Sequence, residues 1–162
     1  MATPSVQIRR AAPDDVVILA KLNRFVHDLH VDARPDTFHL AHAADELAPH
    51  FAAFLAREGA MAYIAESSEN GPVGYITAAV QNRSADALMH PQRFVYVNHI
   101  AVDPRVARMG VGSALVESVR AEALEAGCAS LFADVWDFNT KALAFFEGRG
   151  FGRVQHRLEQ RL

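Results

Sequence analysis

Two glycines separated by one residue, Gly110 and Gly112, have the type and spacing that point most directly to chemistry. They come just before a long segment of helical apolar periodicity, which places them at the start of a helix. Small residues there let the backbone approach a ligand closely, and the first N–H groups of a helix attract anions. Arg105 and Arg108 add positive charge nearby. The pattern predicts a phosphate or pyrophosphate site, held mainly by the main chain and the helix dipole.

The glycine pair has other interpretations besides a phosphate site. The same spacing is also typical of a plain tight turn before a helix. A Walker loop is excluded because no Gly-Lys-Ser/Thr follows. A dinucleotide loop is excluded because no third glycine stands at the required offset, and because such a loop normally follows the first strand.

The composition is that of one ordinary soluble domain, with 162 residues, 51% of them hydrophobic and 22% charged. The formal charge of −3 and the dispersed arginines argue against nucleic-acid binding. No apolar stretch approaches the roughly 18 residues of a membrane span, and the first ten residues lack the apolar core of a secretion signal. We therefore expect a cytoplasmic protein that binds neither nucleic acid nor a membrane.

The single cysteine and the eight histidines predict no disulfide and no metal site. Cys128 has no partner thiol, so a small buried apolar residue is the expected role. The histidines are scattered, and pairs three residues apart such as His27 and His30 lack a neighbouring carboxylate signature.

Apolar periodicity divides the chain into alternating strands and helices. The predicted strands cover residues 6–9, 60–66, 73–80, 93–102, 130–136 and 153–160. The predicted helices run from Asp14 to the loop at Asp32, then over 40–57, 112–126 and 140–147. The unit from Val95 to Trp136 has the form of a strand, a crossover helix and a second, parallel strand. This order of strands and helices predicts one mixed α/β domain.

Three ordered blocks carry a resemblance to a known family. Residues 98–104 (Asn-His-Ile-Ala-Val-Asp-Pro) are followed by Gly110-Val111-Gly112, residues 139–151 contain Asn139, Phe145-Phe146 and Gly150-Phe151, and residues 8–15 contain Ile-Arg-Arg-Ala and Asp-Asp. The first block resembles the pyrophosphate motif of the GNAT superfamily of N-acetyltransferases, Arg/Gln-x-x-Gly-x-Gly/Ala. The second and third are similar to that family's second motif and to its opening strand and helix.

The resemblance spans nearly the whole chain and implies a fold and an activity. The implied fold is a single α/β domain over 1–162, with a central mixed, mostly antiparallel twisted sheet of six to seven strands flanked by about four helices. The implied activity uses acetyl-CoA as co-substrate, without a metal. The acetyl group would move to a primary amine of a small molecule or a protein terminus by direct attack in a ternary complex.

The resemblance also assigns cofactor contacts. In the family, the strand before the loop splays from its neighbour, and the pantetheine arm bonds to the exposed backbone. The implied cofactor-binding residues are Ile100, Ala101, Val102, Arg105, Arg108, Met109, Gly110, Val111, Gly112, Ser113, Asn139, Phe145 and Phe146. For Asn139 the alternative is a helix N-cap, and for the two phenylalanines it is a core position.

The sequence departs from the family pattern at two positions. Ala107 stands where the motif has Arg or Gln, so Arg108 or Arg105 would supply the charge. Phe146 stands where many members carry a tyrosine that protonates the departing thiolate. A thiol of pKa near 8.5 leaves tolerably as the thiolate, so water can replace that acid. The alternative to an acetyltransferase is a non-catalytic coenzyme A-binding sensor or regulatory domain.

The attacking amine must lose a proton, because an alkylamine has a pKa of roughly 10. His99 is the first candidate base, since histidine titrates near neutrality and lies on the strand beside the implied thioester. Asn98 is a candidate to orient water. Strand alternation predicts that only one of the two faces the cleft. A purely structural role is the alternative for His99.

The acceptor is expected at the first helix and the loop after it. His27, His30 and Phe38 are the candidate substrate residues there, because aromatic groups suit an amine cation. A solvated helix end is the alternative. An acyl group longer than acetyl is compatible with the same pattern, and the C-terminal strand is a candidate for pairing across a homodimer.

Overall fold

The computed structural model describes residues 5–39 and 44–162. Within these residues the strands are β1 (Val6–Arg10), β2 (Ala60–Ser67), β3 (Gly71–Arg83), β4 (Gln92–Val102) and β5 (Ser130–Ala133). The helices are α1 (Val16–Ala33), α2 (Ala44–Leu55), α3 (Val111–Glu125) and α4 (Thr140–Glu147). None of these helices has the length and apolarity that crossing a bilayer requires.

The five strands form one sheet in the order β1-β2-β3-β4-β5. The first four pair antiparallel, and β5 lies parallel to β4. Because parallel neighbours need a long crossover, α3 lies between β4 and β5 in the chain. The predicted mixed, mostly antiparallel sheet with four helices is confirmed.

The predicted count of six to seven strands is not confirmed, since the described residues form five. The predicted strand 153–160 is absent: residues 152–162 form no strand, and none of their backbone groups bonds to a described backbone group. An alternating pattern supplies strand propensity, but a strand needs a partner to pair with. The predicted strand 130–136 ends at Ala133. Of the predicted helix 40–57, residues 44–55 are helical, and residues 40–43 lie outside the described part.

Two hydrophobic clusters hold the sheet, one on each face. On one face, Val95 and Val97 of β4 pack with Leu115 and Val119 of α3. The other face packs against α1 and α2, with buried residues Leu19, Leu22, Phe51, Ile64, Tyr75 and Ala101. Burying one such large side chain stabilises the fold by about 1.5–3 kcal/mol. The sheet is therefore a firm support for the end of β4, where the candidate site begins.

Candidate active site

The sheet opens into a fork between β4 and β5. The two strands pair only from Phe94 opposite Ser130 to Val97 opposite Ala133, while β4 continues to Val102. At the branch, the Tyr96 hydroxyl donates to Asp134 Oδ2 at 2.8 Å. Burial, together with this hydrogen bond, raises the pKa of Tyr96 to about 12. Beyond the branch, one edge of β4 has no strand beside it in the described chain.

The ladder between β3 and β4 shows which backbone groups face the fork. Asp103 N–H donates to Val73 O at 2.7 Å. In an antiparallel ladder, alternate residues direct both N–H and C=O to the same side. Ala101 therefore directs its backbone groups to β3, and Ile100 and Val102 direct theirs to the fork. Of the three strand residues predicted to contact a cofactor arm, two have backbone groups available for it.

The loop after β4 is shaped by a buried carboxylate. Asp103 accepts from Arg105 N–H at 2.9 Å and pairs with the Arg105 guanidinium at 2.6 Å. The guanidinium holds the pKa of Asp103 below its usual range. Arg105 was predicted to serve as a phosphate cation, but its charge is balanced by Asp103. Arg108 makes no ion pair with any described residue, and it is the one non-glycine there with a positive φ, 65°.

The start of α3 carries free amides. Gly110 takes a left-handed conformation, φ 78°, and its carbonyl accepts the first helical bond from Ala114 N–H at 3.0 Å. The N–H groups of residues 110–113 donate to no acceptor in the described part of the chain. Such a row of donors at a helix N-terminus is an anion-binding arrangement. Met109, Gly110, Val111, Gly112 and Ser113, all predicted cofactor contacts, make up this turn.

Phe145 and Phe146 occupy different environments. A Cβ atom on Gly112 would lie 3.2 Å from two ring carbons of Phe145, so Phe145 packs directly against the glycine turn. Phe146 is 6% exposed in the core and packs between Phe145 and Phe151, with ring centroids 5.3 and 5.0 Å away. The position of the family's tyrosine is thus a core position here. Asn139 caps α4, because its Oδ1 accepts from Ala142 N–H at 3.1 Å.

A β-bulge interrupts β4 at Asn98. Thr77 of β3 lies opposite His99 and Ala78 lies opposite Val97, which leaves Asn98 as the extra residue. A bulge breaks the regular alternation of side chains. Asn98 and His99 are both exposed. The prediction that only one of the two faces the cleft rested on regular alternation, which the bulge interrupts.

His99 lies on the sheet face that packs against α1 and α2. Its ring makes an edge contact with Phe51, at a centroid distance of 6.3 Å. The side chain reaches solvent, yet protein atoms surround much of it, and this desolvation lowers the pKa of His99. Repulsion from His30 and His27 lowers it further. A neutral imidazole near pH 7 is able to accept a proton.

Across the ladder from His99 is a hydroxyl group without a partner. Thr77 is 1% exposed, and its Oγ1 is the one buried side-chain polar atom of the described residues that lacks a hydrogen-bond partner. Tyr75, two residues before it, belongs to the core on the α1 face, so Thr77 faces the same side as His99. An orphan buried polar group costs about 1–3 kcal/mol.

The predicted acceptor residues come together in an aromatic cluster. His30 and His27 lie 5.0 and 6.1 Å from the Phe38 ring by centroid distance. Phe38 contacts Trp136 at 5.4 Å, and His30 contacts Phe138 at 5.7 Å. Burial lowers the pKa of His30. The cluster therefore joins the end of α1 to the segment after β5.

Charged groups beside this aromatic cluster pair with one another. Arg34 bonds to Asp36 at 2.9 Å and to Glu159 at 3.0 Å, and Arg161 bonds to Asp36 at 2.8 Å. The Arg34 guanidinium lies 5.5 Å from the Trp136 ring centroid. These contacts tie the C-terminal segment to the loop after α1.

The residues that sequence reasoning missed are Tyr96, Asp134, Thr77, Trp136 and Phe138. Trp136 and Phe138 are two residues apart just after β5, and this pair of aromatic residues could have been recognised in the sequence as part of a binding surface. The Tyr96–Asp134 bond and the Thr77 position depend on strand register, which local pattern does not encode. Among the described residues, no group of three histidine, cysteine or acidic side chains is placed to hold a metal ion.

The sequence model of the Acetyltransferase (GNAT) family matches residues 23–151. The chain belongs to the GNAT acetyltransferase family. This match includes β4, the glycine turn, α3 and α4. None of the curated protein sequences matches the chain.

Solved structures have the same GNAT fold. A tetramutant of the BH1408 protein from Bacillus halodurans is 23% identical and has a TM-score of 0.88, over 96% of this chain and 99% of that chain. Aminoglycoside N-acetyltransferase AAC(6')-Iy in complex with CoA is 16% identical, with a TM-score of 0.78 over 99% and 97%. AAC(6')-Ih from Acinetobacter baumannii, an aminoglycoside 6'-N-acetyltransferase, is 13% identical, with a TM-score of 0.75 over 98% of each chain.

Proposed function

We propose that this GNAT chain is an acetyl-CoA-dependent N-acetyltransferase that acetylates a primary amine of a small molecule or a protein by direct attack in a ternary complex. One observation carries the proposal: the free amides of residues 110–113 lie next to the open edge of β4, since a Cβ on Gly112 would be 3.8 Å from Val102 Cγ2. A diphosphate and the amide-bearing arm attached to it need these two features next to each other.

On the donor side, the amides of residues 110–113 and the charge of Arg108 would bind the diphosphate. The backbone groups of Ile100 and Val102 would bond to the pantetheine arm in the fork. Phe145 would form the wall of the arm, because it packs against Gly112 and is only partly buried. Three other predicted residues would have supporting roles. Phe146 would support the wall from the core, Asn139 would hold α4 in place as its cap, and the side chain of Ala101 would anchor the strand.

The amine nitrogen attacks the thioester carbonyl carbon, the carbon–sulfur bond breaks, and an amide and a thiolate result. His99 would take the proton that the amine cation loses before attack, directly or through a water that Asn98 orients, and the second N–H proton passes to solvent as the amide forms. Its lowered pKa keeps the imidazole neutral near pH 7, as a base requires. Backbone N–H groups of the splayed strand would stabilise the developing oxyanion. The thiolate leaves without a dedicated acid, which fits the core position of Phe146.

On the acceptor side, His27, His30 and Phe38 would line the amine site together with Trp136 and Phe138. The last two are 38% and 36% exposed, so their rings have surface available for a substrate. Aromatic faces attract an amine cation. The neighbouring charges of Arg34, Asp36, Glu159 and Arg161 are paired with one another, which leaves the aromatic surface as the main recognition element.

One experiment separates this proposal from a non-catalytic coenzyme A sensor, for which the replacement of the family's tyrosine by Phe146 is the argument. The protein is titrated with acetyl-CoA by calorimetry and then incubated with a panel of amines and peptide N-termini, with thiol release as the readout. We expect binding and amine-dependent thiol release. Binding without release from any amine would indicate the sensor, and absence of binding would contradict both functions. Donors with longer acyl chains in the same assay test the acyl preference.

A further inference from the structure

Thr77 of β3 carries a buried hydroxyl group that packing alone does not explain. Among the described residues, its Oγ1 is the single buried side-chain polar atom without a hydrogen-bond partner. Valine has nearly the same shape and lacks this uncompensated polar atom, so packing alone favours valine at position 77. The buried hydroxyl of Tyr75 is different, because it accepts from Asn23 Nδ2 at 2.8 Å. One recognised reason for such an exception in a native core is a catalytic role.

The residue directly opposite Thr77 on β4 is His99. From this pair to the pair Tyr75–Ala101 the register is regular, and Tyr75 and Ala101 both belong to the cluster on the α1 and α2 face. Because side chains alternate along a strand, Thr77 and His99 lie on that same face. Residues directly opposite one another have Cβ atoms about 4.5–5.5 Å apart. Rotation of the imidazole about its side-chain bonds therefore brings a ring nitrogen within reach of Thr77 Oγ1.

We propose that Thr77 is a positioning residue for His99: its Oγ1 accepts a ring N–H of the imidazolium that forms when His99 takes the proton of the amine. This inference rests on the proposed function. A neutral imidazole has one N–H donor and the imidazolium has two, so taking the proton creates a donor that needs an acceptor. Thr77 Oγ1 is an acceptor with no other partner in the described chain. A bond made only after the proton has moved stabilises the reacting state and not the resting state, and such interactions raise kcat.

The other groups that act on His99 oppose a positive charge on its ring. Desolvation by the surrounding protein atoms and repulsion from His30 and His27 of α1 lower its pKa. The Phe51 ring contacts it from α2, and Tyr75 of β3 stays uncharged because burial raises the pKa of that hydroxyl. A hydrogen bond to the charged form acts in the opposite direction and raises the pKa of a base. An acceptor for the ring N–H would thus keep His99 a stronger base in a site that otherwise weakens it.

The test is an NMR titration of the His99 ring protons in the full chain without substrates. We expect Thr77→Val to lower the His99 pKa by about one unit, because a hydrogen bond to the charged ring is lost. Thr77→Ser and Thr77→Cys form a second, matched pair: serine keeps the hydroxyl and should retain the wild-type pKa, whereas the thiol is a weak acceptor and should lower it. The control Tyr75→Phe removes a buried hydroxyl that is already paired, so the His99 pKa should not change.

Stability and kinetics distinguish this role from a purely structural one. At pH 8, where the imidazole is neutral, Thr77→Val should have a higher Tm than the wild type, since valine removes the unpaired hydroxyl. Its kcat at saturating amine should nevertheless be about 3- to 10-fold lower, with unchanged coenzyme A affinity, because His99 is a weaker base. A changed Tm with an unchanged His99 pKa would show a structural role only and overturn the proposal. A Thr77→Ser variant that behaves like Thr77→Val would overturn it as well.

The titration needs no substrate, so its result is separate from that of the proposed function. A lowered His99 pKa in Thr77→Val, in a protein that transfers no acetyl group, would support the hydrogen bond and contradict the acetyltransferase. An unchanged pKa in an active enzyme would overturn the hydrogen bond alone.

Discussion

The proposed donor side and the proposed acceptor side of the candidate site are built in different ways. The donor side uses main chain: free amides at residues 110–113 and the exposed edge of β4, both held by a rigid sheet and helix. The acceptor side uses side chains from separate parts of the chain, with rings from α1, the following loop and residues 136–138. Main-chain recognition tolerates many sequences, whereas side-chain recognition changes with each substitution. Donor and acceptor binding should therefore respond to different mutations.

The largest expected effect is at His99, where the two sides meet. We expect His99→Ala to lower kcat by about 10²–10⁴, because the amine loses its base, and to leave coenzyme A affinity unchanged. In the wild type, desolvation by the surrounding protein atoms and repulsion from His30 and His27 lower the His99 pKa, so kcat should fall only as the pH falls through a value below about 6.5. Kinetics at saturating amine between pH 5 and 8 measure both. His90→Ala, at an exposed histidine, is the control, and an unaltered pH profile in His99→Ala would exclude His99 as the base.

The next largest effect distinguishes a glycine at the start of α3 from a glycine at its end. Gly110 and Gly127 have φ values of 78° and 71°, and a Cβ on either would meet no atom within 4 Å. Alanine at each should cost a similar stability, about 1–2 kcal/mol for the left-handed conformation. We expect Gly110→Ala alone to weaken coenzyme A binding, by about 10- to 100-fold, because it displaces the free amides. Calorimetry and denaturant unfolding measure the two quantities. Equal coenzyme A affinity in the two variants would contradict the proposal that main-chain amides at the start of α3 bind the diphosphate.

The acceptor side should show the reverse pattern. We expect Trp136→Ala to raise the KM for the amine about tenfold, which corresponds to about 1.4 kcal/mol of lost contact, with coenzyme A affinity unchanged. Steady-state kinetics with the best amine of the panel measure this. Phe94→Ala removes a ring that pairs with Phe132 at the other end of β4 and serves as the control. A rise in the coenzyme A dissociation constant of Trp136→Ala would show that the two sides are not separate.

The smallest effect concerns His30. Its repulsion lowers the pKa of His99, so His30→Gln should move the acid limb of the kcat profile to higher pH by less than about one unit. His50→Gln, at an exposed position of α2, should leave the limb in place. A shift to lower pH in His30→Gln would contradict the assigned electrostatics.

The sequence predicted the strand and the glycine turn of the proposed donor side well, and the elements of the proposed acceptor side only in part. The glycine turn and the strand 93–102 have local signatures, because turns and strand alternation depend on neighbouring residues. The bulge at Asn98 was not predictable, since it depends on the register between β3 and β4. The aromatic cluster joins residues about a hundred positions apart, so the part after β5 was missed. For segment 153–160 the strand propensity was recognised, but no partner strand exists in the described chain.

The most direct test of the central claim compares coenzyme A with its two parts that lack the diphosphate, pantetheine and adenosine 3'-phosphate, by calorimetry on the wild-type protein. If the free amides at the start of α3 bind the diphosphate, coenzyme A should bind at least about 100-fold more tightly, a difference of about 2.7 kcal/mol. Equal affinities, or no heat with coenzyme A, would contradict the account.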